Sequence, residues 1–289
     1  MKKYKRHIFY ACEKEQTLFE LLSAAIQILG FEPKYISIFF DEFSPSFEDL
    51  EYDENYLFTV IKKVPGSITL KNKMYDETDP QSSFGFSLNI NRDENFNLQS
   101  WSLNWLNNDL DFLILSDYFK FFLSFGELVY AYCYDSDDCF EQSNARIINP
   151  EFDQPWKTGE EVREFILNNA IDISQHWGKI VVARGLTFIA APLMWFGKKF
   201  EKIIAKEKLL KFACSSIENY SSNELVQIKL FELYDSPSKV ENRSKQKEFW
   251  TFFDLQQTIK QYEKNNPINA VAWLKARAAA KKKQKNRDK

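Results

Sequence analysis

Apolar positions along the chain change period several times. Leu18, Leu21, Leu22, Ala25, Ile26 and Leu29 form a helical stripe over residues 13–29, which Gly30 stops. Tyr35–Phe40 is a short aromatic and β-branched strand, and residues 41–55 have no period and read as a loop. Leu57–Val64 and Ile68–Lys71 flank Pro65-Gly66 and predict a hairpin. Phe84–Asn91 and Trp101–Leu106 alternate as strands, with Trp101, Leu103 and Trp105 on one face. Asp117 precedes Tyr118, Phe121, Phe122 and Phe125, spaced for a helix, and Val129–Tyr134 alternates again.

A polar stretch from Asp135 to Trp156 reads as a connection. Beyond it, Thr158-Gly-Glu-Glu161 is a capping box opening a helix to about Asn169. Leu186–Phe196 and Leu225–Tyr234 read as strands, and Lys206–Phe212 as a short helix. Asp235-Ser-Pro-Ser is a turn. Arg243–Lys264 reads as one helix, which Asn265-Asn-Pro267 stops. This order predicts an α+β fold with mixed or antiparallel sheet, flanking helices and a helical C-terminus. It divides into two similar halves packed together, 1–141 and 142–274, followed by a basic tail, 275–289.

Composition changes this picture in two places. Gly numbers only 8 of 289, well under the ~7 % average, and no phosphate-cradling glycine motif is present. Nucleotide binding through a glycine loop is therefore not expected. The four cysteines, Cys12, Cys133, Cys139 and Cys214, form no C-x-x-C pair, and His7 and His176 are the only histidines. Neither a metal centre nor any cofactor is expected. The longest apolar run, Ile180 to Phe196, contains Arg184 and Pro192 and is short of a membrane span, and the apolar N-terminal stretch ends at Glu13. A cytoplasmic protein with reduced thiols and no membrane partner is expected.

Charge is more informative. The net charge of −3 conceals strong segregation: residues 41–141 carry 6 basic and 20 acidic side chains, and residues 275–289 carry 8 basic and 1 acidic. Asp41, Glu42, Glu48, Asp49, Glu51, Asp53 and Glu54 form a run without Lys or Arg, interleaved with Phe43, Phe47, Tyr52 and Tyr56. Asp135, Asp137, Asp138 and Glu141 form a second cluster. Such blocks either solvate a face or dock a basic partner. Tyr52 with these eleven carboxylates constitutes the candidate partner surface; Phe43 and Phe47 are better read as packing the loop onto the body. The tail offers an alternative function, nucleic-acid association through phosphates, against which the acidic body argues.

Catalytic signatures are weak. Asp135-Ser-Asp137-Asp138 begins like a Ca²⁺ loop but has no following Gly or Glu at the required positions. Asp109 and Asp111 read as a solvated edge, and His176 beside Trp177 as a structural histidine. No catalytic residue, and no small-molecule substrate, is expected.

The segments LMWFGKKFEKIIAKEKLLKF from Leu193 and ELVQIKLFELYDSPSKVENRSKQKEFWTFFDLQQTI from Glu224 carry a resemblance. The matched features are the Trp195-Phe-Gly197 turn, the lysine-rich helix ending at Leu209-Leu210, and the strand running into Leu233-Tyr234-Asp235. Asn242-Arg243, Gln246, Phe249 and Leu255 complete them. The segments resemble bacterial immunity proteins of polymorphic or type VI secreted toxins, in particular the family partnering restriction-endonuclease-like nuclease toxins. The resemblance implies an inhibitor without chemistry of its own. Its expected partner is a cognate toxin, basic if it is a nuclease.

Overall fold

Strand β1 (Lys5–Cys12) lies inside the sheet, between β6 (Leu98–Leu106) and β7 (Leu128–Asp135), and is antiparallel to both. The computed structural model describes residues 5–12, 24, 26–39, 47–61, 67–73, 87–93, 98–106, 117, 119–121, 123, 128–143, 174–184, 186–213, 216–220 and 224–267. From β6 the sheet continues through β5 (Ser87–Asp93), β4 (Ser67–Lys71) and β2 (Tyr35–Phe39) to β3 (Phe47–Glu51). From β7 it continues through β10 (Leu193–Phe196) and β12 (Leu225–Lys229) to β11 (Ser216–Tyr220). The result is a ten-stranded antiparallel sheet. Strands β8 (Val181–Ala183) and β9 (Leu186–Phe188) form a separate hairpin. The fold is α+β, and the pairing of β7 with β10 carries one sheet across both halves of the chain.

Alternation along the shared strands sorts the core onto two faces. Ala131 and Cys133 of β7, with Leu193 and Trp195 of β10, join Ile36, Ile38, Ile68, Leu70 and Leu103 on one side. Leu57 of helix α1 (Glu54–Ile61) and Phe119 complete that cluster. Tyr130 and Tyr132 of β7, with Met194 and Phe196 of β10, face the other side. There they meet the 3-10 helix Lys198–Lys202 and helices α3 (Lys206–Leu210), α4 (Val240–Phe252) and α5 (Leu255–Asn265). Strand β7 is thus buried almost throughout, because both its faces are covered. The Tyr130 and Tyr132 hydroxyls also fasten the β8–β9 hairpin. Thr187 N–H donates to Tyr130 Oη at 3.1 Å, and Tyr132 Oη donates to the Thr187 carbonyl at 2.8 Å.

Five sequence expectations change. Residues 41–55 contain a strand, β3, and the start of α1. The strand escapes a period-two search because it bulges: Ile36 to Ile38 on β2 spans Leu50 to Phe47 on β3, with Asp49 left-handed at φ 50°. Of the strand expected over Leu57–Val64, the described part is helical, since it falls within the helix Glu54–Ile61. Asp53 Oδ1 accepts from the N–H groups of Asn55 (2.8 Å) and Tyr56 (3.2 Å) and opens the helix. The connection at Asp135 begins with helix α2 (Ser136–Ser143), and Asp135 Oδ1 accepts from Asp138 N–H at 3.0 Å. Leu186–Phe196 divides into β9 and β10 ahead of Pro192, which has no N–H to pair. The C-terminal helix breaks at Asp254, left-handed at φ 47°. An unbroken helix would carry Leu255 about 200° round the axis from buried Phe253; the break returns Leu255 and Ile259 to the core.

Most of the helix expected at 13–29, the capping box at Thr158, Asp109, Asp111 and the basic tail lie outside the described residues. No helix among the described residues is long and apolar enough to cross a membrane.

Candidate functional surfaces

The first acidic cluster sits at one end of the sheet, where β3 has a single strand neighbour, β2, among the described residues. Its carboxylates divide by role. Asp49 is internal to the fold: it accepts from Ser37 Oγ (3.2 Å) and pairs with Lys71 Nζ (2.7 Å), and its side chain is only 23 % exposed. Asp53 is exposed but caps α1. Glu51 and Glu54 are exposed. Tyr52 and Tyr56 are half-buried against the Ile36–Leu57 core. Burial first, then the negative charges of Glu54 and Asp53, push the Tyr52 phenol above its ordinary pKa. Glu54 and Asp53 thus act on Tyr52 as neighbouring negative charges. Asp41 and Glu42 lie outside the described residues, as does the side chain of Glu48.

The second cluster is built differently. Asp135 is buried at the end of β7. Asp138 on α2 forms a bidentate ion pair with Arg243 on α4; Arg243 Nη1 donates to Asp138 Oδ2 at 3.0 Å, and its Nη2 donates to Oδ1. Gln246 extends the network, accepting from Arg243 Nη1 at 2.7 Å and donating to the Ala190 carbonyl at 2.9 Å. Nearby, His176 Nδ1 donates to the Gln142 carbonyl at 3.1 Å. Asp135 and Asp138 therefore face inward, and the side chains of Asp137 and Glu141 lie outside the described residues. Six strand spacings, roughly 29 Å along the sheet, separate β7 from β3, so the two clusters do not merge into one patch.

The segments that carry the family resemblance form the framework. Asn242, Gln246, Phe249 and Leu255 are buried. Trp195 Nε1 donates to Gln227 Oε1 at 2.8 Å. Gly197 N–H donates to the Val129 carbonyl at 2.9 Å, where β10 turns into the 3-10 helix.

A third surface was not anticipated from the sequence. A cleft of about 590 Å³ lies between the β8–β9 turn, the 3-10 helix and α5, lined by Arg184, Lys199, Lys202, Ile203, Gln257 and Tyr262 among others. Its sequence signal is the dipeptide Arg184-Gly185 between short apolar segments. Among the described residues no set of three His, Cys, Asp or Glu side chains gathers as a metal site. No protein-family model matches the chain, and neither a curated protein nor a solved structure is significantly similar to it.

Proposed function

We propose that this protein is a cytoplasmic immunity protein, which binds a cognate bacterial toxin and blocks its active site or substrate groove. The observation carrying this reading is the acidic sheet end, where Glu51 ends an edge strand open on one side among the described residues, Glu54 opens the helix that follows it, and Tyr52 and Tyr56 lie close by in sequence. A toxin that cuts nucleic acid needs a basic groove for phosphates. An acidic edge flanked by half-buried tyrosines is complementary to such a groove and speeds encounter with it. The resemblance of the Leu193–Ile259 region to immunity proteins points the same way.

The partner is sought by affinity capture from the native host, and the captured toxin is co-expressed with this chain. Rescue of growth supports the reading; capture that never yields a protein whose toxicity this chain suppresses refutes it. The surface is tested with Glu51→Lys and Glu54→Lys together, because Asp49 and Asp53 also hold the fold. In the folded variant, association with the captured toxin is expected to slow and its salt dependence to flatten. Unchanged kinetics remove this edge from the interface.

A further inference from the structure

The cleft between the β8–β9 turn and α5 has chemistry opposite to that of the acidic edge. Among the described residues three cations line it, Arg184, Lys199 and Lys202, and none of the described lining residues is Asp or Glu. Its volume of about 590 Å³ is within the ~300–1,000 Å³ usual for small-molecule sites. One wall is uncharged: Ile203 and Leu186 lie beside Tyr262, whose ring meets Phe188 edge-on at 6.3 Å. The cleft thus joins a cationic end to an apolar and aromatic side.

Arg184 supplies the independent observation. It occupies the β8–β9 turn with φ 50°, a left-handed conformation that Gly or Asn adopts far more readily. Backbone strain of this kind concentrates at ligand sites. Its Nε–H is buried without an acceptor among the described residues. A guanidinium presents several donors in a planar fork matched to a phosphate, and here one of them has no acceptor among the described residues. A bound oxyanion, with a small side-chain rotation, provides that acceptor.

We propose that this cleft binds a small phosphate-bearing molecule, with Arg184, Lys199 and Lys202 on its phosphates and Tyr262 and Ile203 against its uncharged body. The site holds its anion with side-chain cations, so the scarcity of glycine is no obstacle. Binding makes and breaks no covalent bond. The site is independent of toxin neutralisation and stands or falls separately.

The test is calorimetric titration of the full chain with two probes, pyrophosphate and ADP. Both are expected to bind saturably, ADP more tightly. Arg184→Gly is the informative variant, since Gly takes the left-handed turn without strain and preserves the hairpin. It is expected to melt at or above the wild-type temperature without ligand, and to bind both probes at least about tenfold more weakly. Tyr262→Ala is expected to weaken ADP but leave pyrophosphate nearly unchanged. No saturable binding of either probe overturns the proposal. So does equal binding to wild type and Arg184→Gly, which places the anion elsewhere, the lysine-rich tail included. Equal loss of both probes in Tyr262→Ala overturns the assignment of the aromatic wall.

Discussion

Replacing Gly197 by Ala tests how tightly the two halves of the sheet are joined. Gly197 follows β10, and its N–H donates to the Val129 carbonyl at 2.9 Å. An added methyl would lie 2.9 Å from the Leu128 carbonyl carbon, 3.4 Å from the Val129 oxygen, and closer still to the Leu128 oxygen. All three are backbone atoms of β7, so no side chain can rotate out of the way. The strand cannot retreat freely either. Phe196 is held in register with Val226 on one side and Tyr130 on the other, and its ring packs on Phe200 at 4.8 Å. Overpacking of this kind costs roughly 1–3 kcal/mol, and loss of the Gly197 hydrogen bond adds about 1 kcal/mol. A destabilisation of about 3 kcal/mol is expected, lowering Tm by roughly 6–12 °C at the ~2–4 °C per kcal/mol typical of larger domains. Thermal and urea melts followed by circular dichroism measure it. A Gly197→Ala variant melting within about 1 °C of wild type would refute the argument that this backbone approach is obligatory.

Three further outcomes follow from the buried polar groups. In a double-mutant cycle of Asp138→Ala and Arg243→Ala, read by urea denaturation, a coupling of about 1–3 kcal/mol is expected, because the side chains are only 14 % and 21 % exposed; additive effects would contradict the bidentate pair. Burial pushes the Tyr130 phenol from 10.0 up to about 12. The unfolded chain therefore loses that proton first. This group leaves stability unaffected below pH 10 and lowers it by about 1.4 kcal/mol per pH unit as pH rises from 10 towards 12, measurable as urea midpoints against pH. Cys133 and Cys139 are buried, and burial pushes the Cys139 thiol up to about 12, so iodoacetamide is expected to label both only after denaturation, as read by peptide mass spectrometry.

Regular local patterns were legible in the sequence. The alternating segments around Tyr35, Leu88, Trp101 and Val129 are strands, and the short lysine-rich segment ending at Leu210 is a helix. Departures from regularity were hidden. The Asp49 bulge removes the period of β3, and the left-handed residue at Asp254 divides a helix whose sequence reads as continuous. Both positions are Asp, a residue that enters left-handed backbone more easily than most, but composition alone does not say which Asp does so. The same limit applies to the surfaces. A carboxylate in a charged run reads as solvated, yet Asp138 meets Arg243 from the other half of the chain, and Asp135 is buried beneath its own helix cap. The cationic cleft joins residues from three elements whose proximity only the tertiary fold creates.

The position of β1 sets the order of assembly. It precedes every other described strand in the sequence, but its two neighbours begin only at Leu98 and Leu128. The sheet end formed by β2, β3, β4 and β5 can pair locally well before then, since those strands are close in sequence. The second half must likewise wait for β7 before β10 has a partner. Such distant pairings carry a large loop-closure entropy and fold slowly. Until β6 emerges, β1, a strand of mostly apolar and aromatic residues, has neither neighbour, and until β7 emerges one of its edges stays open to wrong partners. The growing chain is therefore most vulnerable to aggregation before its middle is made, and the closing of β6 and β7 around β1 is the step at which a helper protein would have most effect.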